Sequence, residues 1–227
     1  MDLTDALIYA RHPQPIDVEI DRSGDRSEAQ MRESLATLLA ERVDGNGIWI
    51  FSYGSLLWKP EPEVIISKQR SALVRGLHRR FCLWQWRSRG SPQQPCLMMA
   101  LDGGGACRSM VQWVPGADIA DAIWPLWCRE MRGHGYVARW VKASTAEGSV
   151  QALTFVANRA GPRYTGELDL DAAAAYLASG CGPRGACAQY LRNTVLALDA
   201  VGIRDRNLWT LQSKVAALLE ATAVTVS

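Results

Sequence analysis

An apolar run, Ile48-Trp49-Ile50-Phe51, stops within two residues at Tyr53-Gly54-Ser55. Successive apolar, β-branched and aromatic residues predict a buried strand, and the glycine predicts an abrupt turn at its end. Glycine there opens backbone conformations closed to other residues, or lets a ligand come close. N–H groups in such a turn have no ladder acceptor, so they can receive a carboxylate or an oxyanion. Two readings of the turn stay open on local grounds: a small-anion or acyl-binding loop, and a tight turn with a hydroxyl cap.

The chain has 227 residues, enough for one domain with an appendage, and 48% of them are hydrophobic, as in a protein with a full core. The net charge of +2 gives no field that would gather nucleic acid or acidic lipid. The nine tryptophans suit an aromatic-walled pocket as well as ordinary core packing. Six cysteines stand at 82, 96, 107, 128, 181 and 187 without a C-x-x-C pair, and no histidine has zinc-finger spacing. That pattern predicts no metal site and supports no disulfide framework. The first residues, Met1-Asp2-Leu3-Thr4-Asp5, lack the basic and apolar regions of a secretory signal. No apolar run approaches the roughly 20 residues of a membrane span. The expectation is a reduced, soluble, cytoplasmic protein, monomeric or weakly dimeric.

Residues 11–27 are polar, with Pro13 and Pro15, and predict irregular structure. From Glu28 to Val43, the residues Met31, Leu35, Leu38, Leu39 and Val43 recur at helical spacing before Asp44-Gly45-Asn46-Gly47. Residues 1–46 are thus expected to be an extension carrying one helix laid on a barrel face, and 47–227 the main domain. Strand patterns follow at 72–76, 80–84, 96–101 and 109–114, with the triple glycine 103–105 placed as a hairpin turn between the last two. No helix or Gly-Lys-Ser/Thr follows these glycines, so they are not a phosphate loop. A helix is predicted at 118–132, strands at 136–141 and 149–156. Helices then follow from Asp169 to Gly180, over 184–201 and over 205–222. Strands first and helices last predict an α+β domain: a mostly antiparallel sheet or barrel with helices against it.

The helix at 118–132 carries a carboxylate in an unusual place. At about 100° per residue, Ile119, Ala120, Ile123, Trp124, Leu126, Trp127 and Met131 share one broad arc, and Glu130 falls inside it. An ionised carboxylate on an apolar face costs several kcal/mol unless it is paired. Such a group often has a raised pKa and a chemical task. The competing reading has Glu130 at the helix end, in water or paired with Arg129 or Arg132. Pro125 predicts either a kink or a helix start near Trp124.

Taken in order, Tyr53-Gly54-Ser55-Leu56, Trp58-x-Pro60, Arg79-Arg80-Phe81, Arg89-Gly90-Ser91-Pro92 and Arg129-Glu130-Met131 resemble the ChaC-like γ-glutamylcyclotransferases. Tyr164-Thr165-Gly166-Glu167-Leu168, Tyr190-Leu191-Arg192-Asn193-Thr194 and Gly202-Ile203-Arg204-Asp205 extend the likeness across 48–220. The segment Arg132-Gly133-His134-Gly135-Tyr136, Pro125 and the strand around Gln112 depart from the family pattern. The resemblance implies a small mixed-strand barrel flanked by helices, with neither metal nor organic cofactor. It implies cyclisation of a γ-glutamyl group, with glutathione giving 5-oxoproline and cysteinylglycine. By motif match the catalytic glutamate falls on Glu130, the γ-glutamyl loop on Tyr53, Gly54, Ser55 and Leu56, and a tyrosine bordering the site on Tyr164.

That reaction is an internal aminolysis and needs no protein nucleophile. It needs a folded-back substrate, N–H donors for its carboxylate and oxyanion, and one group that takes a proton from an α-ammonium of pKa about 8 and returns it to the leaving amine. Arg89 suits the glycine carboxylate of glutathione, since arginine grips carboxylates bidentately. Three alternatives stay open. One is a different γ-glutamyl peptide or γ-glutamylamine as substrate. Another is a non-catalytic γ-glutamyl-binding sensor. The last is a serine hydrolase at Ser55, although the G-x-S-x-G elbow is missing. Cys128 is assigned to packing.

Overall fold

The computed structural model describes residues 1–16, 19–42 and 45–224. Val43 and Asp44, assigned above to the helix end and the turn after it, lie outside the described residues. Contacts divide the chain into two compact units: one of Met1–Arg22, Phe81–Met99 and Thr165–Ser227, the other of Ser23–Arg80 and Ala100–Tyr164.

The second unit holds most of the barrel. Its strands are β1 (Gly47–Ser52), β2 (Lys68–Gln85), β3 (Cys96–Pro115), β4 (Tyr136–Thr145) and β5 (Gly148–Ala157), closed in the order β1-β3-β2-β4-β5. β1 lies antiparallel to β3, from Gly47 opposite Pro115 to Ser52 opposite Met110, and parallel to β5 at Trp49 and Ile50. β4 and β5 form a hairpin turned at Thr145 and Gly148. This is the α+β, mixed-strand barrel with helices that the sequence leads one to expect.

Two expectations about the strands change. The segments 72–76 and 80–84 belong to one strand of 18 residues, and 96–101 and 109–114 to one of 20. The triple glycine is no hairpin turn. Gly104 and Gly105 take φ of +100° and +65° inside β3, a conformation open to glycine that bends a strand without reversing it. The chain does not fold back there because both ends of β3 pair elsewhere, Leu101 with Val156 and Met110–Pro115 with β1. In β2, Gly76 at φ +80° has a similar effect. Ala72 and Val74 are buried before it, Leu77, Arg79, Phe81 and Leu83 after it. The inward phase therefore moves from even to odd positions, as an inserted residue requires.

Helix α1 (Asp5–Arg11) was not foreseen; it is capped by Thr4 and belongs to the first unit. The first 46 residues therefore carry two helices. The second, α2 (Glu28–Ala40), starts in a capping box between Ser27 and Gln30 and ends three residues earlier than its apolar spacing suggests. Met31 and Leu35 join the barrel core with Ile48, Ile50, Leu153 and Phe155. The indole N–H groups of Trp127 and Trp140 donate to the carbonyls of Met31 and Leu38 at 2.9 and 3.0 Å.

Helix α3 (Ile119–Met131) is capped by Asp118 and runs through Pro125 without a break, so it does not start near Trp124. In the first unit, α4 (Leu170–Ser179) opens at Asp169 and closes at Gly180, and α5 (Cys187–Ala200) and α6 (Arg206–Val224) follow. This unit also brings Cys96 and Cys187, 91 positions apart, side by side, with Cα atoms 6.4 Å apart.

Candidate active site

The strand β1 delivers the chain into Tyr53 and Gly54, and the turn continues as a 3-10 turn, Ser55–Leu57. Gly54 has φ −141° and ψ −127°, so the turn does not use left-handed glycine. The first N–H groups of such a turn, those of Ser55 and Leu56, have no acceptor inside it. Tyr53 anchors the turn. Its hydroxyl donates to the Phe155 carbonyl at 2.7 Å, and its own carbonyl accepts from Arg79 Nε at 2.8 Å. The Arg79 guanidinium also donates to the Arg108 carbonyl.

Glu130 stands in the last turn of α3, among the buried Leu126, Trp127 and Met131. Its side chain is 12% exposed, and its carboxylate pairs with Arg129 Nε at 3.2 Å. Burial pushes the Glu130 carboxyl above its ordinary range; Arg129 pulls it back and the negative Glu61 pushes it up again. Of the two readings of this residue, each holds a part: it is paired with Arg129, and it is also largely withdrawn from water with a raised pKa.

Arg129 joins the helix to the turn. Nη2 donates to Ser55 Oγ at 2.9 Å, and Nη1 donates to the Lys59 carbonyl and to Glu61 Oε1, at 2.5 and 2.8 Å. Ser55 and Glu130, 75 positions apart by number, are thus held by one planar cation. A carboxyl with a raised pKa is thereby placed next to a turn whose first N–H groups have no acceptor inside it, a pairing suited to moving a proton beside a bound acyl group.

The other candidates lie in separate groups. Tyr164 donates to Asp102 Oδ2 at 2.8 Å, and burial followed by this hydrogen bond raises its pKa. Asp102 is itself buried and pairs with Arg80 at 3.1 Å and Arg159 at 3.5 Å. Arg89 belongs to the first unit, where Nη1 donates to the Ala186 carbonyl at 2.8 Å and the guanidinium lies over Tyr190. Among the described residues, no cluster of His, Cys, Asp and Glu could hold a metal ion, and no helix is long and apolar enough to cross a membrane.

The family of ChaC-like proteins matches residues 48–218. The chain belongs to the ChaC-like family. It is 34% identical over 194 residues to the glutathione-specific γ-glutamylcyclotransferase of Escherichia coli K12, covering 85% of this chain and 83% of that protein. It is 30% identical over 186 residues to glutathione-specific γ-glutamylcyclotransferase 1 of Rattus norvegicus, covering 79% and 83%. Its fold is that of the yeast γ-glutamyl cyclotransferase specific to glutathione, with a TM-score of 0.67 at 20% identity over 75% of this chain and 96% of that one.

For a ChaC-like chain, sequence reasoning missed the residues that hold the site together. Glu61 and Asp102 were not singled out, Arg79 entered only as part of a motif, and Arg129 only as a possible partner of Glu130. Arg79 had a usable signal: it lies in phase with the inward Leu77, Phe81 and Leu83 of β2, where a charge needs a partner. The reach of Arg129 to Ser55, Lys59 and Glu61 had none, because these partners lie about 70 positions away in the sequence.

Proposed function

We propose that this chain is a γ-glutamylcyclotransferase that cleaves glutathione to 5-oxoproline and cysteinylglycine. The observation that carries the reading is the joining of a largely shielded Glu130 to the Tyr53–Leu56 turn through Arg129. Membership of the ChaC-like family and the names of the relatives support the same reaction.

In this reading the γ-glutamyl group is folded over the turn, with N–H groups of Ser55 and Leu56 receiving its charged oxygens. The α-nitrogen attacks the γ-carbonyl carbon. A C–N bond forms to close the lactam, and the C–N bond to the cysteine nitrogen breaks. Between ammonium and lactam the α-nitrogen gives up two protons, and the departing amine takes two. Glu130 carries protons from the first nitrogen to the second. A carboxylate of ordinary pKa is a weak base for an ammonium near 8, so the upward push from burial brings Glu130 closer to its task. Arg129 keeps the carboxylate oriented towards the turn.

The test is incubation of the purified protein with reduced glutathione and quantification of both products, with Glu130→Gln alongside. Loss of a proton carrier costs about 10²–10⁴-fold, so a folded Glu130→Gln protein is expected to be nearly inactive. Equal turnover by both proteins would remove Glu130 from this role. No turnover by the wild type, with γ-glutamylamines cyclised instead, would replace glutathione as the substrate.

A further inference from the structure

Arg129 is shared between two carboxylates. Its Nε faces Glu130 at 3.2 Å and its Nη1 faces Glu61 at 2.8 Å. Glu61 follows the 3-10 turn, in a segment with no regular structure, and its side chain is 24% exposed. The remaining contacts of the guanidinium, to Ser55 Oγ and the Lys59 carbonyl, lie on the same short stretch of chain. Glu61 therefore closes a line of charges, negative, positive and negative, running from the loop after the turn to the less exposed Glu130.

We infer that Glu61 is a positioning residue for Glu130, acting through the guanidinium that the two carboxylates share. The inference rests on the proposed role of Glu130 as proton carrier. An arginine facing a lone carboxylate would favour the ionised form of that carboxylate without opposition. Glu61 divides that pull, because part of the Arg129 field ends on its own negative charge. It also fixes the fork, so that Nε meets Glu130 while Nη2 stays on Ser55. The charges that act on Glu130 are Arg129 from its own helix and Glu61 from the loop. Arg26, from the segment ahead of α2, directs Nη1 at the carbonyls of Met131 and Gly133.

The sign follows from these charges. Removing the negative charge of Glu61 stabilises ionised Glu130, so Glu130 gives up its proton at lower pH. Glutamine at 61 keeps an oxygen that accepts from Arg129, leaving the geometry in place while the charge is lost.

The experiment is the pH profile of kcat/KM for glutathione in the wild type, Glu61→Gln, Glu61→Asp and Glu63→Gln. Glu63 is exposed and two residues away, and serves as a control for charge alone. The acid limb is expected to move to lower pH in Glu61→Gln and to stay with the wild type in the other two. A Glu61→Gln limb that coincides with the wild type, or an equal displacement in Glu63→Gln, would overturn the inference. The 13C shift of the Glu130 carboxyl, titrated in the wild type and in Glu61→Gln, reads the same displacement without turnover. If Glu130→Gln proves active, the proposed base is lost, and the NMR titration still decides whether Glu61 governs Glu130.

Discussion

Arg129 donates from Nη2 to the Oγ of Ser55 at 2.9 Å, so the hydroxyl of the glycine turn is held by a side chain of the helix that carries Glu130. The turn and the helix of Glu130 are therefore tied by a charge-assisted hydrogen bond. Ser55 acts here as an acceptor from a cation, a role different from that of an activated nucleophile.

Ser55→Ala is expected to keep turnover. It removes one hydrogen bond to a charged group, worth about 1.5 kcal/mol in a partly buried setting, which corresponds to roughly a tenfold rise in KM for glutathione if the turn loosens. Steady-state kinetics decide between this and the hydrolase reading, since complete loss of activity in a folded Ser55→Ala protein would restore Ser55 as a nucleophile.

Glu130 should make stability fall as pH rises. Its folded-state pKa lies above the unfolded value because burial disfavours the charge. Between those two values the folded state binds more protons than the unfolded one, so the slope of stability with pH is negative. The cost is absent below the ordinary carboxyl pKa and complete above the folded-state pKa. Glu130→Gln carries no such cost. Urea midpoints are expected to show the variant gaining on the wild type as pH rises through this window; a constant difference at all pH values would contradict it.

Asp102 is expected to matter more to folding than Tyr164. The buried carboxylate meets Arg80 at 3.1 Å as well as the Tyr164 hydroxyl at 2.8 Å. Asp102→Ala removes a buried carboxylate that pairs with Arg80 and Arg159 and accepts from Tyr164, and should cost about 3 kcal/mol. Tyr164→Phe removes one donor and should cost about 1 kcal/mol. Denaturant titration with an unchanged m-value tests the order of the two; the reverse order would mean that Tyr164 packing outweighs the charge.

Leu35→Ala should destabilise the protein by about 2–4 kcal/mol, because the side chain is 2% exposed in the barrel core. Ser27→Ala, which breaks the capping box of α2, should cost about 1 kcal/mol. Thermal or urea unfolding checks both. Changes near zero would mean that α2 is a surface addition with little part in the core.

The barrel strand ahead of Tyr53, the α3 face around Glu130 and the α4 boundaries at Asp169 and Gly180 were legible because each rests on near neighbours: an apolar run, a 100° period, a cap and a stop. The ordered motifs led to the ChaC-like family for the same reason. The triple glycine shows where this ends. Three glycines allow a reversal or a bend with equal ease, and the choice belongs to the partners of β3, which lie in β1 and β5.

Sequence alone determined the secondary structure of most elements, the barrel class, the buried carboxylate and the family. Tertiary structure alone decided the pairing of Arg129 with Glu61 across 68 positions, the approach of Cys96 to Cys187 across 91, and the anchoring of Tyr53 by Arg79. The physical reason is range. Periodicity and turn chemistry are set by residues within one or two turns of each other. A shared guanidinium or a strand register is set by which distant segments burial brings together.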